Sequence, residues 1–205
     1  MDETILPLLG AGVTTVAAIV GERIYENPRI EFLSPEVVEE ASIRYWMFPI
    51  RNRPGSLSRF IHRKSADALT AAISITSLRG LTINIDGYWH TRSDGAIGRS
   101  ETTEVSLTEG DTKLISFVNK LAGNSNCNLS NNSINGNGPG IYLPEGTFMV
   151  SLKLGSGTQT VEKFYVLNNS GTELSRLQLK GPMKKKIAAE ALIVPEILFP
   201  LGGTG

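Results

Sequence analysis

Between Ile43 and Leu179, apolar side chains recur at every second position in short runs, and turn residues separate the runs. In an extended strand, alternate side chains point to opposite faces, so this period marks strands with one apolar and one polar side. Leu69, Ala71, Ile73 and Ile75 alternate with Thr70, Ala72, Ser74 and Thr76. The same pattern holds for Leu81, Ile83 and Ile85, for Thr103, Val105 and Leu107, and for Phe148, Val150, Leu152 and Leu154. Ile43, Tyr45 and Met47, continuing to Ile50, read as a further strand, with Pro49 pointing to an edge or a bulge. Lys113 to Val118 is another short strand. Val161 to Leu167 follows Gly155-Ser156-Gly157 as the second arm of a hairpin, and Leu174 to Leu179 closes the series after Asn169-Ser170-Gly171. No long amphipathic helices alternate with these runs, which excludes a doubly wound α/β fold. The expected class is mainly β, an antiparallel β-sandwich of about eight strands. An immunoglobulin-like order is expected, without the cysteines of antibody domains.

Residues 4–21 stand apart because they carry no charge. As a helix, 18 residues reach about 27 Å, near the hydrocarbon thickness of about 30 Å. The sequence therefore predicts a single N-terminal transmembrane helix, which would seat the chain in the lipid bilayer through residues 4–21. A buried core helix and a secretory signal are the rival readings. The flank Met1-Asp2-Glu3 has none of the basic residues a signal needs, and Gly10, Gly12, Thr14 and Thr15 dilute the apolar run. Lys and Arg follow the run rather than precede it, so the expected location is a single-pass membrane protein with its sandwich in the cytoplasm. Three sequons, at Asn128, Asn131 and Asn168, argue for the opposite side.

Composition sets the remaining boundaries. The expected domains are an anchor over 1–21, an acidic juxtamembrane connector over 22–42, the sandwich over 43–180 and a basic and apolar tail over 181–205. Within the connector, Ser34-Pro35-Glu36 looks like the cap and first turn of a short helix. Residues 124–140 are mostly Asn, Ser and Gly and read as a surface loop unable to join a core. In the tail, Pro195 and Pro200 break the apolar stretch after residue 186, so a short segment lying on the domain or on the membrane is expected.

Little chemistry stands out. Lys plus Arg equals Asp plus Glu, 20 each, and this neutrality argues against a nucleic-acid partner. Cys127 is the only cysteine, so the chain has no internal disulfide. The histidines are His62 and His90, and neither has a second His or Cys at metal-ligand spacing. No Gly-x-Ser-x-Gly turn presents a nucleophile, and Gly136-Asn137-Gly138 lacks the strand and helix of a phosphate loop. No catalytic residue, metal or cofactor is assigned.

Two groups of residues remain as candidate contacts. Tyr88, Trp89, His90 and Arg92 gather aromatic and polar groups between two strands, either as a ligand platform or as a plug for the end of the core. Arg51, Arg53, Arg59, Arg63 and Lys64, together with Lys184, Lys185 and Lys186, could meet anionic headgroups or a partner. The competing reading pairs the first set with the Glu-rich stretch before it.

Several segments carry a resemblance. They are Phe48-Pro49-Ile50-Arg51-Asn52-Arg53, the small-residue strand from Ala66, the Trp89 region, Leu107-Thr108-Glu109-Gly110-Asp111, and Tyr142-Leu143-Pro144-Glu145-Gly146-Thr147-Phe148. In these the chain resembles uncharacterised prokaryotic proteins, notably archaeal ones, that place a β-sandwich behind one N-terminal membrane helix. The resemblance implies architecture and transfers no functional residue. The expected function is a membrane-tethered, non-enzymatic sandwich that binds a partner protein, a second copy or the membrane surface. The alternatives are a ligand-binding module, perhaps for carbohydrate, centred on Tyr88-Trp89-His90, and a serine hydrolase using His62 or His90.

Overall fold

The computed structural model describes residues 27–40, 42–55, 62–93, 96–129, 141–156 and 159–199, with backbone alone at 40, 90–93, 96–102 and 159. Among the described residues fourteen strands run in chain order: β1 (Ile30–Phe32), β2 (Glu36–Glu40), β3 (Ile43–Asn52), β4 (Ala66–Ser77), β5 (Thr82–Asp86), β6 (Tyr88–Ser93) and β7 (Ala96–Thr102). Then come β8 (Glu104–Leu107), β9 (Thr112–Leu121), β10 (Cys127–Leu129), β11 (Tyr142–Leu143), β12 (Gly146–Ser156), β13 (Gln159–Asn169) and β14 (Leu177–Met183). Helix α1 (Lys185–Ile193) follows the last strand.

All described pairings are antiparallel, and they make two sheets. In the first, β3 and β9 form the centre over nine paired positions. β1 and β2 share the free edge of β3, while β6 and β10 share the free edge of β9. In the second sheet the order is β14-β13-β12-β4, and β5 and β8 share the outer edge of β4. The architecture is compatible with a sandwich, as the period-two pattern predicts. The expected eight-strand immunoglobulin-like arrangement is corrected to sheets of eight and six. The extra strands are short edge segments, which extend because unpaired backbone on β3, β4 and β9 needs partners whatever the side-chain pattern.

Alternation builds the core. Leu69, Ala71, Ile73 and Ile75 of β4 are buried with Phe148, Val150, Leu152 and Leu154 of β12. Phe48 joins the first sheet to the second, with ring centroids 5.0 Å from Phe117 and 4.5 Å from Tyr165. β13 departs from alternation, because Tyr165, Val166 and Leu167 are all fully buried. The reason is the tail. Ala188 and Ala191 of α1 and Phe199 beyond it pack with Val166 in a second cluster, so this strand is covered on both faces. The tail therefore lies on the domain.

Other expectations are corrected. The single transmembrane helix is not supported: among the described residues no helix is long and apolar enough to cross a membrane, and α1 has nine residues. Residues 4–21 lie outside those described. The helical turn at Ser34-Pro35-Glu36 is instead the entry to β2, whose Val37 and Val38 pair with Trp46 and Tyr45. Edge pairing there runs over five register positions on β3. Pro49 is not on an edge strand but in central β3, opposite the break between β1 and β2, where a missing N–H costs least. Residues 127–129, read as surface loop, form β10 with Cys127 and Leu129 buried.

Candidate functional site

The aromatic candidates are the first to be resolved. Gly87 carries the chain from β5 in one sheet to β6 in the other, and its N–H donates to the Ala71 carbonyl at 2.8 Å. This crossing turns Trp89 inward, where it is 1% exposed within the main core. Tyr88 is half-buried beside it. His90 and Arg92 lie on β6, and their side chains are outside the described set. Trp89 is thus a core plug, and the ligand platform loses its largest aromatic surface.

The basic candidates are mostly engaged. Arg51 donates to Glu31 at 2.7 Å and holds its carboxyl below the ordinary range. Arg44 pairs with Glu39. Both partners come from the Glu-rich stretch, as the competing sequence reading has it. The Arg63 guanidinium donates to the Asn27 carbonyl at 2.7 Å. Its backbone N–H and that of Gly55 donate to the Glu109 carboxylate, and His62 lies at 3.2 Å from the same group. These donors, the Gly55 N–H foremost, lower the Glu109 pKa. Arg53 is exposed, Lys64 is exposed with its own partner, and Arg59 lies outside the described residues. Lys185 sits 5.7 Å over the Phe164 ring and Lys186 reaches Glu190 at 4.0 Å, while Lys184 precedes α1. The two basic groups converge on no single described pocket.

Two features escaped the sequence reading. The first is a buried polar node between the sheets. Lys120, near the end of β9, donates to Asn169 Oδ1 at 2.5 Å and to the Gly171 carbonyl. Asn169 Nδ2 donates to the Ser125 and Pro144 carbonyls at 2.9 and 3.0 Å. Burial lowers the Lys120 pKa against the opposing fields of Cys127 and Glu145. Burial also pushes the Cys127 thiol up to about 12, which makes it a poor nucleophile.

The second is a groove of about 610 Å³ at one end of the second sheet. Three separate elements wall it: the β4–β5 turn with Leu78, Arg79 and Leu81, the β11–β12 turn from Pro144 to Phe148, and the end of α1 with Leu192 and Ile193. Leu78, Leu81 and Ile193 are 65%, 71% and 70% exposed. The Ser77 hydroxyl on its wall is buried and makes no hydrogen bond. Arg79 and Glu145 bring one charge of each sign to the lining. This arrangement can hold apolar side chains and offers two charges to the backbone that carries them. No family model, curated protein or solved structure matches this chain.

Proposed function

We propose that this chain is a binding module whose groove at the end of the second sheet receives an apolar segment of a partner protein. The observation that carries this reading is the convergence of Leu78, Leu81 and Ile193, three large aliphatic side chains left in water, on one concavity. Scattered exposed leucines need no explanation, but a cluster rimmed by polar groups favours contact with another molecule. Burying one such side chain contributes roughly 1.5–3 kcal/mol. The volume falls within the roughly 300–1,000 Å³ typical of ligand sites and accommodates two or three side chains of a peptide. A chain rather than a free small molecule fits best, because the walls are open, and because Arg79 and Glu145 offer polar contacts around an apolar floor.

Selection from a random-peptide display library on the purified full chain tests the reading. The expected result is enrichment of peptides with two or more large aliphatic or aromatic residues. Binding should be lost in Leu81→Glu and Ile193→Glu, both at exposed positions where the fold tolerates charge. Unaltered binding in both variants, or no enrichment at all, refutes the proposal. Sedimentation with liposomes that depends on Leu81 and Ile193, without peptide binding, would assign the groove to a membrane surface and equally overturn it.

A further inference from the structure

Lys120 is 1% exposed, yet no carboxylate among the described residues hydrogen-bonds to it. Two neutral oxygens are its acceptors, one on Asn169 and one on Gly171. A buried ammonium without a hydrogen-bonded counter-ion is costly, and burial lowers the Lys120 pKa, so the amine gives up its proton more readily than a solvated lysine. A neutral, desolvated lysine is a nucleophile.

Its target lies against it. Asn169 is fully buried at the last position of β13, in the sheet opposite β9. The Ser125 and Pro144 carbonyls hold Nδ2 and so turn Oδ1 toward Lys120. With Nζ 2.5 Å from Oδ1 and a C=O bond of about 1.23 Å, Cγ stands no farther than about 3.7 Å from Nζ. Reacting atoms held at about 3–3.5 Å are in near-attack range, and a small rotation of the lysine end closes the difference.

We propose that Lys120 and Asn169 join in an intramolecular isopeptide bond that ties the two sheets covalently. The Nζ lone pair attacks Cγ, and the Nζ–Cγ bond forms while the Cγ–Nδ2 bond breaks. One proton passes from Nζ to Nδ2, which leaves as ammonia. Nothing is oxidised or reduced, and no co-reactant is consumed. Glu145, whose negative field reaches Lys120, steadies the positive charge that Nζ develops on attack. The product exchanges a buried amine for a neutral amide whose N–H keeps the Gly171 carbonyl as acceptor. Of the carbonyls that ammonia vacates, those of half-buried Ser125 and exposed Pro144 can take water in place of the lost donor, while that of buried Leu143 gives up only a long contact of 3.5 Å.

Mass spectrometry of the purified full chain decides the matter. The intact wild-type mass should fall short of its sequence mass by one ammonia, and Lys120→Arg should show its full sequence mass. Trypsin cuts after Lys113, Lys153, Lys163 and Arg176, so the bond predicts a branched species joining residues 114–153 to 164–176, uncleaved at Lys120. The free 164–176 peptide should disappear. In Asn169→Asp the same branch should form with loss of water instead. A folded wild-type chain at full sequence mass overturns the proposal without reference to any variant. Ammonia loss without the branched species also overturns it, since the Asn135-Gly136 and Asn137-Gly138 pairs lose ammonia by cyclising on their own backbone.

Discussion

Asn52 closes β3 with a side chain that is fully buried and fully used. Its Oδ1 accepts the Arg29 N–H at 3.0 Å, and its Nδ2 donates to the Lys64 carbonyl at 3.0 Å and the Leu107 carbonyl at 3.2 Å. One amide thereby ties the approach to β1, the approach to β4 and the end of β8. Asn52→Ala removes three hydrogen bonds and strands an N–H and two carbonyls. At about 1 kcal/mol net for each, the loss is about 3 kcal/mol. For a chain of 205 residues, each kcal/mol moves Tm by roughly 2–4 °C, so Tm should fall by roughly 6–12 °C. Differential scanning calorimetry reads the shift, and urea denaturation should show a lower midpoint at an unchanged slope. Asn52→Leu, which refills the volume, should lose nearly as much. If Leu restores wild-type stability, or if Ala shifts Tm by less than about 2 °C, the three hydrogen bonds do not hold these segments, and the reasoning fails.

Three further outcomes are expected. Gly87→Ala would set its Cβ 2.7 Å from Ala71 Cβ and 2.9 Å from Ile115 Cγ2, so the urea midpoint should drop by the equivalent of about 1–3 kcal/mol; an unchanged midpoint would show that the sheet crossing has room to spare. Trp89→Ala should cost about 3–5 kcal/mol by emptying the core, whereas a wild-type Tm would return the residue to the surface and revive the ligand platform. Glu109 has its pKa lowered by the Gly55 and Arg63 N–H groups. Its contribution is therefore complete above the ordinary carboxylate pKa and is lost as pH falls through the lowered folded value. Limited proteolysis between residues 53 and 65 should accelerate at that acid limb in wild type, while Glu109→Gln should be cut at a rate independent of pH in the same window.

The large strands were legible because a half-buried strand imprints its period on the sequence. Ile73 and Ile75 of β4 and Val150 and Leu152 of β12 are buried as the alternation requires, and Gly155-Ser156-Gly157 marks the hairpin that joins β12 to β13. β1, β2, β10 and β11 left no such imprint, since two to five residues hold too few periods and their extension answers to a neighbour's unpaired edge. Val166 was hidden for the opposite reason: its partner Phe199 comes from a tail 33 positions later, and a strand buried on both faces shows no alternation. Nothing in the sequence singles out Lys120, because lysine is usually solvated and its acceptor on Asn169 lies 49 residues away in what reads as a turn. The groove was illegible as well. Leu78, Pro144 and Leu192 become neighbours only once both sheets and the tail are in place.

The groove and the buried lysine share a structural member. Pro144 lines the groove, and its carbonyl holds the Asn169 amide that Lys120 reaches. Gly146 pairs with Asn169 in the ladder at φ +150, a conformation glycine adopts without strain, and Phe148 descends from the same turn into the core. One wall of the groove is therefore bolted to the seam between the sheets. The opposing walls are a hairpin tip at Leu78 and Arg79 and the end of a nine-residue helix, neither of which bonds to the Asn169 side chain. A partner of the kind proposed would meet one wall tied to the seam and two held independently of it. The fixed wall loses little conformational freedom on binding, so ordering costs fall mainly on the hairpin tip and the helix end. On this view the polar node and the apolar groove are not independent features. Through Asn169 and the Pro144 carbonyl, the buried lysine is linked to the wall against which the proposed partner would lie.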